Sequence, residues 1–144
     1  VMAKFKLQTV LDYRERLESL AQQAHAEALE RENRLLAELT AKRRELDTLR
    51  EEFEDLQRKG LDAFEYSLYS NHIGHAMGQV ADLVERWEAA RDEVEARRQA
   101  LCVASQERQL LEKLKEKHLS EAYAEEQHKE AVQLDEVAVR NFRK

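Results

Sequence analysis

Residues of types that can do chemistry occur throughout this chain, but their spacing does not assemble a site. His72 and His75 stand three residues apart in a helical pattern and could place two imidazoles on one metal ion. A metal site needs three or four converging ligands, and no carboxylate stands at a fitting third position. We therefore predict a solvated helix flank at these histidines, with neither a metal nor a cofactor.

The acidic residues and the single cysteine also lack the surroundings that catalysis requires. Carboxylates occur in pairs, as at Glu51 and Glu52 or at Glu125 and Glu126, but a helix surface has no concave pocket to shift their pKa values. Cys102 has no basic cluster or helix N-terminus beside it to lower its pKa, so we expect an inert, half-buried thiol. We predict that the chain is not an enzyme.

The composition is typical of long helices. Among 144 residues there is no proline, there are three glycines, and 38% are charged. The formal charge of −6 has both signs interspersed, which leaves no basic face for a nucleic acid. No segment approaches the ~20 apolar residues that span a bilayer. The lone cysteine and the absence of an apolar leader predict a reduced, cytoplasmic protein.

Apolar residues in the first part of the chain recur at alternating steps of three and four, which predicts a coiled-coil helix from about residue 5 to about residue 58. Two successive steps of four, at Leu20, Ala24 and Ala28, break the strict heptad. We expect a stutter there that locally relaxes the supercoil. The whole stripe is Val10, Tyr13, Leu17, Leu20, Ala24, Ala28, Leu35, Leu39, Leu46, Leu49, Phe53 and Leu56.

A helix stop and a helix start follow each other closely. Gly60 comes after Arg58 and Lys59, the cations that favour the negative end of a helix dipole. Asp62 and Glu65 have the spacing of a capping box, which begins a new helix. We predict a turn over about residues 59–62 and a second helix over about residues 63–142.

The second helix has its own apolar stripe, interrupted only by Arg97. Trp87 occupies one of its positions. An indole there more often fills the seam, which is the row of side chains packed between two helices, than recognises a ligand. We expect the period to shift later onto Leu111, Leu114 and His118, and a looser stripe to follow through Ala131, Leu134, Ala138 and Phe142. The template is Tyr69, Ile73, Ala76, Val80, Leu83, Trp87, Ala90, Val94, Arg97, Leu101 and Ala104, preceded by Tyr66.

Gly74 and Gly78 lie outside this stripe, and two interpretations of them remain open. A face without side chains could admit the backbone of a partner, or it could be tolerated slack near a turn. The polar residues around them argue against a membrane helix pair.

So short a turn predicts an antiparallel pair, and hence an all-α coiled-coil hairpin over residues 1–144. Counting outward from the turn places Leu17 near Ala104 and Phe5 near Glu116. The second helix should therefore overhang beyond about residue 117, with no partner in the chain. An isolated helix gains little stability in water, so the apolar stripe on this overhang predicts a surface supplied by another molecule. The alternative is a frayed terminus.

Both ends of the chain resemble the flagellar export protein FliJ family. The resemblance starts in the run from Phe5 to Arg14, continues at Lys117, His118 and Tyr123, and includes the segment from Gln133 to Ala138 and the basic end from Arg140 to Lys144. It implies a cytoplasmic component of the flagellar type III export apparatus, similar to the central stalk of rotary ATPases. The implied partners are the export ATPase ring (FliI), the export gate protein (FlhA) and export chaperones.

The resemblance also implies two sets of contact residues. By their place at the two chain ends, the expected ATPase-facing residues are Val10, Leu11, Leu134, Val137, Ala138 and Phe142. A spacing similar to the family's gate-contacting surface is found at Tyr69, Ile73 and Ala76, followed by Val80, where the resemblance implies a histidine. These four residues also begin the hairpin seam, so they can serve the gate only if the first helix ends early enough to expose them.

Two other functions remain open at this point. Several copies of the chain could bury each other's overhangs in a homo-oligomeric structural coiled coil. The chain could also be the equivalent stalk of a virulence secretion system, which would differ in its partners and not in its physics.

Overall fold

A computed structural model describes residues 5–143 and contains two long helices packed against each other. Helix α1 covers Gln8–Lys59 (52 residues) and helix α2 covers Ala63–Arg143 (81 residues). No strand occurs in the described part of the chain. The prediction of an all-α hairpin is confirmed, although α1 begins three residues later than expected.

The turn between the helices has the chemistry predicted for it. Gly60 has a φ of +103°, a conformation that a side chain disfavours, and its N–H donates to the carbonyl of Leu56 at 2.9 Å. The carboxylate of Asp62 accepts a hydrogen bond from the backbone N–H of Glu65 at 2.8 Å. Asp62 therefore caps α2 as expected.

Contacts along the two helices group into two units. The turn unit comprises Gln22–Ala100. The terminal unit comprises the described residues of Val1–Ala21 and Leu101–Lys144. Each unit contains a piece of α1 and a piece of α2, so each has its own length of helix seam.

In the turn unit, the seam is a single layer of side chains between the helices. Leu39 is 2% exposed and is the largest fully buried side chain, and Leu46, Ala76 and Leu83 are also buried. Near the turn, the ring of Phe53 lies 5.2 Å from that of Tyr66 and 5.7 Å from that of Tyr69, measured between centroids. Apolar burial of this kind is the main stabilising contribution available to so thin a structure.

In the terminal unit, the two helices are joined by both apolar and charged contacts. Leu11 is 2% exposed, and the ring of Phe5 lies 5.8 Å from that of His118. The guanidinium of Arg14 donates to the carboxylate of Glu107 at 2.6 Å. Phe5 thus lies two residues beyond Glu116, its expected neighbour, and the predicted register is nearly right.

The predicted stutter in α1 is wrong. Buried and half-buried residues follow an unbroken heptad from Leu11 to Leu56, whereas Tyr13 and Leu20 are 49% and 62% exposed. The expected stripe there follows Val10, Tyr13, Leu17 and Leu20, but the seam follows Leu11, Arg14, Glu18 and Ala21, each one residue later. The seam of α1 is Leu11, Arg14, Glu18, Ala21, His25, Ala28, Glu32, Leu35, Leu39, Lys42, Leu46, Leu49, Phe53 and Leu56.

In α2 the template is confirmed from Tyr69 to Ala104, apart from Arg97, which is exposed. The expected shift of period onto Leu114 is wrong, because Leu114 is 50% exposed while Arg108, Lys115 and His118 continue the original heptad. Long polar side chains can extend from a seam position to water, so they need not interrupt the repeat.

The burial of Trp87 agrees with the expectation from the sequence, and the burial of Cys102 does not. Trp87 is half-buried in the seam, as expected, with its Nε1 atom buried and without a hydrogen-bond partner, and the guanidinium of Arg91 lies 5.2 Å from its ring centroid. Cys102, by contrast, is exposed and not half-buried, because it stands one position outside the seam residue Leu101.

Candidate partner-binding surfaces

The C-terminal extension, defined here as residues 119–143, is a helix without a partner from α1. Every residue from Tyr123 to Arg143 is exposed, including Leu134 at 70% and Phe142 at 92%. Ion pairs within the helix, such as Lys129 with Glu125 at 3.7 Å, are exposed and contribute little to stability. Exposed apolar side chains on an otherwise charged helix indicate a binding surface.

The apolar side chains of the extension lie mainly on two opposite faces. At 100° per residue, Leu134, Ala138 and Phe142 share one face, with Val137 near its edge. Val132 lies on the opposite face, 160° from Leu134, whereas Val139 lies 60° from Phe142, between the two faces. The first face and its edge carry four of the six residues predicted to contact the ATPase, so these four lie on one side of the extension.

The two remaining residues of that set lie elsewhere in the terminal unit. Val10 is 41% exposed, but Leu11 is 2% exposed and packs in the seam. Leu134 stands sixteen residues beyond His118, or ~24 Å further along the helix. The six residues therefore do not form one surface, and Leu11 can affect a partner only by holding α1 in place.

The four residues expected to contact the gate are part of the seam of the turn unit. Ala76 is 7% exposed, and Tyr69, Ile73 and Val80 are half-buried. Because α1 continues to Lys59 and Phe53 packs on Tyr69, the first helix does not end early enough to expose them. The condition under which they could serve both roles is not met in this conformation.

Sequence reasoning missed two exposed apolar residues at the start of α2. Phe64 is 72% exposed and Leu68 is 54% exposed, and their spacing of four places them on the same helix face. The available signal was that both stand outside the seam template immediately after the cap at Asp62. Large apolar residues in such a position are unusual on a solvated face.

Charged side chains join the helices of the terminal unit at one cluster. Arg108 donates to Glu18 of α1 at 2.8 Å and to Glu112 of its own helix at 2.6 Å. Hydrogen bonds from Arg108 first, and from Ser105 second, hold the pKa of Glu18 below its ordinary value, against a smaller opposing effect of burial. The same two carboxylates raise the pKa of Arg108. This cluster fixes the register of the helices and offers no group poised for chemistry.

His72 and His75 line a groove of the turn unit together with Lys42, Glu45 and Glu52. Across residues 5–143, no three histidine, cysteine, aspartate or glutamate side chains are grouped so that they could hold a metal ion. Gly74 and Gly78 face open space, where an added Cβ would meet nothing within 4 Å. Both interpretations of these glycines therefore stay open.

Comparison with known proteins gives one match. The family model described as "Flagellar FliJ protein" matches residues 3–144. Neither the curated proteins nor the solved structures gave a significant match. Neither of the two described helices has a stretch that is long and apolar enough to cross a membrane.

Proposed function

Because this chain belongs to the FliJ family of flagellar export proteins, we propose that it is a non-catalytic stalk and adaptor of the flagellar type III export apparatus. In this proposal it binds the export ATPase ring (FliI) and the export gate protein (FlhA), and it escorts export chaperones. Its partners hold it at the cytoplasmic face of the membrane at the flagellar base. The family is a non-enzymatic one, which agrees with a function that depends on binding.

The observation that carries the proposal is the exposed face of the C-terminal extension. Leu134 and Phe142 are among the most exposed large apolar residues of the chain. An unpaired helix is marginally stable in water, and burying this face in a partner would both order the helix and remove apolar surface from water. We propose that the ATPase ring supplies that partner surface, through contacts with Leu134, Val137, Ala138 and Phe142 and with Val10.

The test is turnover by the cognate export ATPase, titrated with the intact chain and with a chain truncated after His118. The truncation keeps the described contacts between the two helices and also the ring contact of Phe5 with His118. We expect the intact chain to stimulate turnover and the truncated chain to have no effect. Equal stimulation by the intact and the truncated chain would show that the extension is not needed to stimulate the ATPase.

A matched pair of substitutions identifies the face. Leu134→Asp changes the proposed contact face, whereas Val132→Asp changes the opposite face of the same helix, where Val132 is 42% exposed. We expect loss of stimulation for the first and near-normal stimulation for the second. If both variants lose it equally, the ATPase contact is not confined to the proposed face.

For the gate, we propose a contact at the beginning of α2 around Tyr69, Ile73, Ala76 and Val80. Because α1 covers their seam surfaces, the partner must use the exposed edges of these residues or displace α1. Binding of the purified gate protein to Tyr69→Ala and to Leu68→Ala separates this proposal from a contact on the outer face. Loss of binding with Leu68→Ala alone would contradict the four-residue surface.

The two other functions differ in their support. The match to a flagellar family model favours flagellar export over virulence secretion. A homo-oligomeric coiled coil would use the same exposed extension, and it is distinguished by the mass of the chain in solution.

A further inference from the structure

The terminal unit has a second apolar stripe on each helix, beside the seam. Tyr13, Leu17 and Leu20 each stand one residue before a seam residue of α1. Val103, Leu110 and Leu114 each stand one residue before a seam residue of α2. All but the half-buried Leu17 are 49–63% exposed. We call these six residues the flank patch.

The two stripes lie on the same side of the helix pair. Antiparallel helices are related by a two-fold axis perpendicular to both, so residues that precede the seam in each helix point to the same flank. One contact agrees with this arrangement: Glu107 precedes the seam residue Arg108, and its carboxylate accepts from the seam residue Arg14 across the pair at 2.6 Å. The flank patch is thus one surface with an apolar wall from each helix.

Apolar residues are not the rule at these heptad positions. In the part of α1 that belongs to the turn unit, the residues that precede the seam are mostly charged: Glu27, Arg31, Arg34, Glu38, Glu45, Glu52 and Asp55. The flanks of a coiled coil that face water usually carry charged residues, because charged side chains are well solvated there. The change to tyrosine, leucine and valine in the terminal unit therefore marks a surface that is covered in the working protein.

The spacing of the patch indicates what covers it. On α1 the patch residues follow at steps of four and three, and on α2 at steps of seven and four, with Glu107 between Val103 and Leu110. The two rows border a shallow groove of the kind into which a third helix packs, with its own apolar residues between them. The stripe of α1 from Tyr13 to Leu20, extended by Val10 one turn earlier, gives the groove room for a few helical turns.

The charges around the patch indicate the character of that helix. The charged residues three or four positions from a patch residue are Arg14, Arg16, Glu107, Lys113 and Lys117. Glu107 is the one acid, and it is ion-paired with Arg14. Lys117 approaches Glu121 only loosely, at 4.0 Å, and both side chains are at least 70% exposed. The groove therefore has a basic rim, although the chain as a whole carries a charge of −6.

From this combination we infer that the flank patch binds an amphipathic helix with acidic edges from a partner protein, completing a three-helix bundle. A second copy of this chain fits less well, because two patches face to face would bring Arg16 and Lys113 of both copies together. This inference does not rest on the proposed ATPase and gate contacts.

The test uses a fluorescent synthetic peptide three heptads long, with leucine at the seam spacing on one face and glutamate on the others. A matched peptide has lysine in place of each glutamate. We expect the intact chain to bind the glutamate peptide at least about tenfold more tightly than the lysine peptide, measured by anisotropy, and added salt to reduce the difference. Equal binding of the two peptides, or none by either, would overturn the inference.

Substitutions in the chain locate the binding. Leu110→Glu is expected to weaken binding of the glutamate peptide about tenfold or more, and Tyr13→Glu supplies a second variant on the other wall. Leu36→Glu is the control, since Leu36 is 42% exposed but lies outside the patch and the terminal unit. Circular dichroism checks that each variant keeps its helix content.

Two results would refute the location or the occupant. Binding that survives both patch substitutions would place the peptide elsewhere. An intact chain that is dimeric by light scattering, and becomes monomeric with Leu110→Glu, would show that a second copy covers the patch.

Discussion

At the residue scale, the three glycines of this chain have opposite energetic roles. Gly60 has a φ of +103°, whereas Gly74 and Gly78 lie inside α2 and face open space. A methyl group is strained in the first case, and in the second it meets nothing while the backbone loses less entropy on folding. The same substitution should therefore change stability in different directions.

We predict that Gly60→Ala lowers the free energy of unfolding by about 1–2 kcal/mol. Gly74→Ala should raise it by up to about 1 kcal/mol, because alanine favours a helix interior. Urea unfolding followed by circular dichroism measures both. If Gly60→Ala has no effect, the turn does not keep the conformation described here.

A second prediction at this scale concerns pH. The pKa of Glu18 is lowered in the folded chain by hydrogen bonds from Arg108 and Ser105, so folding favours its ionised form. The resulting stabilisation is present above the ordinary glutamate pKa, about 4.3, and is lost as the pH falls through the lowered value. We expect Glu18→Gln to melt at a lower temperature than the native chain at pH 7.

That difference in melting temperature should shrink toward zero in acid, where Glu18 of the native chain is itself protonated. Glu15→Gln, which removes an exposed acid of the same helix, is the control for a general charge effect. A difference that stays constant down to the lowest pH would mean that the hydrogen bonds to Arg108 do not contribute as described.

At the element scale, the helices were predictable and their contact faces only partly so. The seam of α2 follows its apolar residues from Tyr69 to Ala104, so apolar periodicity found it. The seam of α1 includes Arg14, Glu18, His25, Glu32 and Lys42, while the apolar residues Val10, Tyr13 and Leu20 lie on the flank.

Apolar periodicity cannot distinguish a seam from a neighbouring flank that has the same step. What decides between them in α1 is the match to the other helix, notably Glu18 opposite Arg108, and that requires the register of the pair. The candidate surfaces divide in the same way. The extension follows from the unequal lengths of the two helices. The exposure of Phe64 and the burial of Leu11 depend instead on how each helix is rotated about its own axis.

Stability of the paired helices should be concentrated in a few leucines. Leu39 is 2% exposed, whereas Leu36 in the same helix is 42% exposed. We predict that Leu39→Ala costs roughly 2–3 kcal/mol of unfolding free energy and that Leu36→Ala costs well under half as much. Denaturant titration measures both, and equal losses would contradict the assigned seam.

At the scale of the whole molecule, the main question is whether copies of the chain associate and so bury their exposed apolar surface. The extension mixes its apolar residues with acids such as Glu125, Glu126 and Glu130, and the chain has a net charge of −6. Repulsion between like-charged copies opposes the burial that self-association would provide.

We therefore predict that the purified chain is a monomer of 16.9 kDa at micromolar concentration, as measured by light scattering. Truncation after His118 should lower the mass and leave the oligomeric state unchanged. A mass near a multiple of the chain's, which falls to that of one chain on truncation, would favour the homo-oligomeric coiled coil instead.

The seam position of Trp87 has a practical consequence for following the unfolding of the chain by fluorescence. It is the chain's single tryptophan, half-buried with its Nε1 atom shielded from water, and it lies in the turn unit. Its emission should shift to longer wavelength when α1 and α2 separate there. Loosening confined to residues around His118 would leave that emission unchanged. Tryptophan fluorescence and circular dichroism can therefore report different midpoints for one chain, and their disagreement would measure how independently the two units open.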